Sequence, residues 1–134
     1  MTTLITTYDE TQHCTAFDRA KGKSVAIDCP YSGKGEELSP VNLLEAALSS
    51  CIMMSMGAVA MRDGIDLTET SVEMDFIGTS PPKIGYSAIN INVTMPAGLS
   101  PKTREKLQRG ADACPIKHTI DPEIAISVDY RYPD

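Results

Sequence analysis

Short alternating stretches of apolar and polar residues lie at both ends and in the middle of the chain, separated by two stretches whose apolar spacing is helical. Leu4 to Phe17 is Thr-rich and loosely alternating. Asp18-Arg19-Ala20-Lys21-Gly22-Lys23 then supplies turn residues, and Val25, Ile27 and Cys29 alternate again, which predicts an opening β-hairpin. Pro30 to Glu37 carries Gly33 and Gly35 and reads as a loop. Ser39-Pro40 places a capping hydroxyl before a proline suited to the first helical position, so a helix is expected from there. Between Val41 and about Arg62 the residues are apolar almost all the way round, the signature of a helix buried within the fold or between subunits, and Gly64 is its expected stop. Val72, Met74 and Phe76, and later Ile89, Ile91 and Val93, alternate on either side of Ser80-Pro81-Pro82-Lys83 and predict an antiparallel pair. Ser100-Pro101 repeats the helix-start signal. Leu107, Ala111 and Cys114 then share one face, while Lys102, Arg104, Glu105 and Arg109 lie mostly elsewhere, so the second helix is amphipathic. Pro115 interrupts it, and Ile124, Ile126, Val128 and Tyr130 form a closing strand.

Composition narrows this outline. The 134 residues suit a single domain spanning 1–134, of a size that buries roughly two-thirds of its unfolded surface. With no Trp and only two Phe, the core has to be aliphatic, with methionine filling gaps. A net charge of −6 disfavours nucleic acid or an anionic membrane as a partner, since both reward a basic face. The first residues lack the basic and apolar segments of a leader, and no uninterrupted run approaches the ~20 apolar residues of a membrane span, so the expected location is cytoplasmic. Four cysteines at irregular spacing argue against a disulfide framework. Metal ligation is disfavoured too, because the close pairs His13 with Cys14 and Cys114 with His118 do not build a four-ligand set.

The chemistry is therefore sought among the thiols. Cys51 lies about three turns into the apolar helix, where a free cysteine by itself reads as a small hydrophobe. Cys114, taken alone, also reads as packing. Their surroundings change this. Gly35-Glu36-Glu37-Leu38-Ser39-Pro40, continued by Leu43-Leu44 and Ala46-Ala47-Leu48-Ser49-Ser50-Cys51, and then Ala113-Cys114-Pro115-Ile116-Lys117-His118, resemble the two cysteine segments of the OsmC/organic hydroperoxide resistance (Ohr) family. The resemblance runs from about Tyr8 to Tyr132, with the elements in matching order.

It implies an α/β domain of α+β type, the OsmC-like fold, whose homodimer intertwines with the long helices at its centre. It also implies thiol-dependent reduction of organic hydroperoxides, with Cys51 attacking, Cys114 resolving, and a dithiol such as a lipoyl group as reductant. No further cofactor and no metal are expected. A thiolate attacks the peroxide oxygen, and the sulfenic acid so formed condenses with a second thiol before it climbs to sulfinic acid. The family's peroxidases hold the reactive thiolate with an arginine on the first strand and a glutamate early in the helix. Here His13 or Cys14 falls near the first position and Val41 or Asn42 at the second. The residues considered for activation are therefore His13, Arg19, Glu45, Lys117 and His118, each with an ordinary surface or helix-end role as its alternative. Cys14 and Cys29 are expected to be bystanders. A different outcome stays open: an OsmC-like protein with little or no catalytic activity that binds a small apolar ligand or senses redox state through its thiols.

Overall fold

The computed structural model describes residues 2–134 and contains two compact units, one ending at Ala46 and the other running from Ala47 to Asp134.

The first unit is a meander of three antiparallel strands, β1 (Leu4–Glu10), β2 (His13–Asp18) and β3 (Lys23–Asp28), in the order β1-β2-β3. The expected first arm of a hairpin is thus two strands. Thr11 and Gln12 make the extra turn with φ of 51° and 60°. This is the left-handed backbone that a two-residue hairpin loop needs, and glycine or asparagine usually announces it. Neither is present, so the turn leaves no mark in the sequence; the Gln12 amide instead donates to the Tyr8 hydroxyl at 3.1 Å. The expected turn after β2 is built by Asp18, whose carboxylate accepts from the amides of Ala20 and Lys21, with Gly22 at φ 64°. Beyond β3, the buried Asp28 carboxylate accepts from the amides of Glu36 and Glu37 at 2.9 and 3.2 Å and so orders the predicted loop.

Helix α1 (Pro40–Asp63) begins at the predicted serine and proline. Its first turn is closed reciprocally: the Asn42 amide donates to Ser39 Oγ at 3.1 Å and the Ser39 amide to Asn42 Oδ1 at 3.0 Å. The pair works as a capping box in which asparagine replaces the usual acid.

In the second unit β4 (Ser71–Gly78) pairs antiparallel with β5 (Tyr86–Thr94), as the alternation predicts. The closing strand β6 (Ala125–Arg131) pairs parallel with β5. A parallel neighbour requires a crossover, which α2 (Pro101–Asp112) and the short α3 (Pro115–Thr119) provide. The core of this unit combines Leu48, Ile52, Met56 and Ala60 of α1, Ile89, Ile91 and Val93 of β5, and Leu107 and Ala111 of α2.

Only that one stripe of α1 is buried. Met54 and Met61 are 73% and 86% exposed. The helix also has the length and mean hydropathy, 1.6, of a membrane span, although no uninterrupted apolar run in it is that long. Averaging dilutes Asn42, Glu45 and the serines among many aliphatic residues. Core helices meet the same criterion, and the Leu48 to Ala60 stripe packs as one.

Candidate active site

The two motif cysteines meet inside the second unit. Cys51 lies on α1 beside the buried stripe and is half-buried, whereas Cys114 is fully buried at the junction of α2 and α3. Pro115 does interrupt the helix, as expected, and it also opens a new one. α2 ends at Asp112, and Cys114 becomes the N-cap of α3 with Pro115 at the first position. The Lys117 amide donates to Cys114 Sγ at 3.4 Å.

Three neutral donors converge on the Cys51 sulfur: the Cys114 thiol first, then the Ile116 amide, and the Ser55 hydroxyl. Together they overcome burial and hold the Cys51 thiol below its ordinary range. Cys114 moves the other way, raised by burial and by giving its proton to the bond with Cys51. Cys51 is therefore the more readily ionised of the two.

The sulfur of Cys51 borders an open, mainly apolar groove of about 600 Å³, walled by Met54, Ala58 and Val59 of α1 and by Gly110, Ala113 and Pro115. Gly110 lets α2 approach α1 closely. A Cβ there would lie 2.8 Å from Val59 Cγ2 and 3.2 Å from the Ser55 carbonyl oxygen, tighter than ordinary contact. Gly110→Ala should push α2 away from α1 one turn before Cys114, destabilise the protein by about 1–3 kcal/mol, and slow closure of a Cys51–Cys114 disulfide. Thermal unfolding and quenched-flow thiol trapping would measure the two effects. A variant as stable as the parent that closes the bond at the parent's rate would show that the close approach is not needed.

Lys117 and His118 stand near Cys114, but their side chains face Asp112. Lys117 Nζ is 3.1 Å from Asp112 Oδ1, and His118 Nε2 is 2.8 Å from the Asp112 carbonyl oxygen. A carbonyl only accepts, so Nε2 carries the proton in that bond. These contacts tie α3 to the end of α2. Glu45 is partly exposed on α1.

His13 and Arg19 belong to the first unit. His13 Nδ1 is 2.7 Å from Asp9 Oδ2, whose carboxylate also accepts from Thr15 at 2.8 Å, and the Arg19 amide donates to the Thr3 carbonyl oxygen at 3.0 Å. A polar cleft of about 350 Å³ bordered by Asp9, His13, Asp28 and Glu36 lies in the same unit. No group of three potential metal ligands is found among the described residues.

Sequence reasoning missed two features. Ser55 and Ile116 act on Cys51, and the i, i+4 spacing of Cys51 and Ser55 was the available signal for the first. Cys29, which follows β3, has its thiol brought down to about 7, mainly by the Ser32 hydroxyl at 3.2 Å together with the Ser32 and Tyr31 amides. Its signal was a serine three residues later in a Pro- and Gly-containing turn.

An α+β chain with two sheets and a helix-borne cysteine in contact with a second cysteine is the kind of protein these features define. The sequence profile described as OsmC-like protein matches residues 33–129, and the chain belongs to the OsmC family. No curated protein sequence matches it. Among solved structures it is similar to a Psychrobacter arcticus protein named as an osmotic stress induced and detoxification response protein. That similarity has a TM-score of 0.89 at 29% identity and covers 98% of this chain and 96% of that one. It shares its fold with an organic hydroperoxide resistance protein OsmC from Legionella pneumophila, at TM-score 0.72 and 18% identity over 98% of both chains. The fold is also that of a Vibrio cholerae organic hydroperoxide resistance protein with captopril in one of its active sites, at TM-score 0.73 and 16% identity over 95% of this chain and 90% of that one.

Proposed function

We propose that this protein reduces organic hydroperoxides, with Cys51 as the attacking thiol and Cys114 as the resolving thiol. The observation that carries this reading is Cys114 packed beside Cys51, with the Cys51 thiol held below its ordinary range and the Cys114 thiol pushed above it. The Cys51 thiolate attacks the outer peroxide oxygen, the O–O bond breaks, and the alkoxide leaves and takes up a proton as the alcohol. Cys51 is then a sulfenic acid. Cys114 attacks its sulfur, water leaves, and the disulfide stands in place of two thiols. A dithiol such as a lipoyl group returns both electrons by exchange. The apolar groove beside Cys51 suits an organic peroxide, and the names of the Legionella and Vibrio structures point to the same substrate class. Four free thiols fit a reducing, cytoplasmic setting.

The test is one equivalent of an organic hydroperoxide followed by peptide-resolved mass spectrometry. Cys51 joined to Cys114 supports the reading; oxidant on Cys14 or Cys29 with Cys51 intact ends it. That second result would favour a weakly active or non-catalytic protein that binds a small apolar ligand or senses redox state, an alternative motivated by the neutrality of all three donors to Cys51.

The place of the family's arginine has His13, Arg19 and Lys117 as candidates in this chain. Alanine at the residue that fills this role should slow alkylation of Cys51 at neutral pH by ~tenfold, and His13→Ala is the first variant to measure. An unchanged rate, with a large loss in Arg19→Ala or Lys117→Ala, reassigns the cation. No loss in any of the three favours an inert cysteine and the ligand-binding alternative.

The functional form is a homodimer. Within one chain Leu44, Met54 and Met61 of α1 and Leu4, Ile5 and Tyr8 of β1 are exposed, apolar surface that a second copy would cover. Sedimentation should show a dimer at micromolar concentration that dissociates only on unfolding; a folded monomer would refute this.

A further inference from the structure

We propose that His118 is a positioning residue for the resolving step: its ring Nε2 donates to the Asp112 carbonyl oxygen at 2.8 Å and so holds α3 against the end of α2, with Cys114 between them. The proposal rests on Cys51 and Cys114 being the reacting pair, and it gives His118 a part in closing their disulfide. α2 and α3 are separate helices because Pro115 has no N–H to carry the hydrogen-bond ladder across the junction. On the α2 side, the Cys114 amide donates to the Ala111 carbonyl oxygen at 3.2 Å. On the α3 side, the Cys114 carbonyl oxygen accepts from the His118 amide at 3.3 Å and the sulfur from the Lys117 amide at 3.4 Å. Each of these bonds ties Cys114 to one helix and leaves the angle between the two to its backbone torsions.

The side chains of Lys117 and His118 span the junction, and both end on Asp112. The Lys117 ammonium lies 3.1 Å from Oδ1, but the Asp112 side chain is 66% exposed, and a solvated ion pair of this kind contributes little and weakens with salt. The His118 bond is shorter and goes to the main chain at the last residue of α2. A helix leaves its final carbonyls without an internal partner, and a histidine that follows can take one of them as its acceptor. The imidazole thus fixes α3 to the backbone of α2 itself. Its effect reaches the chemistry because Cys114 is fully buried in the core and Cys51 packs against the same cluster. A shift of α3 therefore moves the sulfur that has to meet Cys51, and a reaction between two held groups loses rate when their alignment loosens.

His118→Ala and His118→Gln test this in the otherwise unchanged protein, with diamide as the oxidant. The Cys51 thiolate adds to the N=N bond of diamide, Cys114 attacks the Cys51 sulfur, and the hydrazine leaves with both protons, so that two thiols become one disulfide. At diamide concentrations where the addition no longer limits, quenched-flow trapping of each thiol reads the closure step alone. His118 is exposed, so the alanine variant keeps its fold. Closure in it should be about three- to tenfold slower, the range for one lost hydrogen bond, while alkylation of Cys51 by iodoacetamide keeps the parent's rate. Glutamine can place an amide N–H where the Nε2–H stands and should return closure to within about twofold of the parent. Closure at the parent's rate in His118→Ala, a glutamine variant as slow as the alanine one, or alkylation of Cys51 that slows in parallel would overturn the proposal. These rates need no peroxide. A parent that closes the disulfide with diamide but consumes no hydroperoxide would thus sink the peroxidase reading and leave the role of His118 standing. A parent in which diamide does not join Cys51 to Cys114 would overturn both.

Discussion

Cys114→Ser, supplied with excess organic hydroperoxide and a dithiol, is expected to lose sustained peroxide consumption down to the level of Cys51→Ser, while its first turnover survives. Serine still offers an O–H to the Cys51 sulfur, so attack on the peroxide remains possible. The sulfenic acid then has no neighbouring thiol to condense with, and with peroxide in excess over the dithiol it proceeds to sulfinic acid, which ordinary dithiols do not reverse. Mass spectrometry of the Cys51 peptide should show over-oxidation in this variant and a disulfide in the parent. Cys29 has to be followed in the same experiment, because its thiol is held at about 7 and is substantially ionised at neutral pH. No second cysteine lies in that turn, so oxidation there should not close a disulfide within it and should not sustain turnover. Continued catalysis by Cys114→Ser would remove the resolving role of Cys114.

Leu107→Ala should cause the largest loss of stability among simple core truncations near the site. Leu107 is fully buried and packs in the cluster formed with Leu48, Ile52, Met56, Ile89 and Ile91. Truncating a buried leucine removes transfer free energy and leaves a cavity, a cost of about 2–5 kcal/mol, which for a chain of this length lowers the midpoint of thermal unfolding by roughly 10 °C. Ile84→Ala, at a fully exposed position, should change stability by less than ~0.5 kcal/mol. A Leu107→Ala protein that melts within about 2 °C of the parent would mean that α2 can move in and refill the space, and that the helix carrying Gly110 toward Cys114 is not rigidly held.

Local signals were legible wherever a single residue type has one dominant use. Ser39-Pro40 and Ser100-Pro101 mark the starts of α1 and α2 because a hydroxyl cap and a proline lacking its N–H both suit a first turn. β4 and β5 follow their alternation, since one face of that sheet meets the core. The break between β1 and β2 was not legible, because Thr11 and Gln12 adopt a left-handed turn for which their side chains carry no preference. The apolar breadth of α1 was visible as well. One chain buries only the stripe from Leu48 to Ala60, so the remaining breadth is the strongest sequence-level argument for a second copy.

The candidate site divides along the same line. The sequence by itself put two cysteines in segments resembling one family's motifs, and the matched profile over residues 33–129 agrees on the family. The tertiary structure alone decided that Cys114 packs beside Cys51, and that burial and hydrogen bonding push the two thiols in opposite directions, Cys51 down and Cys114 up. It also decided that β6 runs parallel to β5, the crossover that carries α2 and α3 and with them Cys114 to Cys51. The physical reason is range. Caps, turns and periodicity are written within a few residues of where they act, whereas the ionisation of a thiol depends on burial and on donors that only the packing of distant segments brings together.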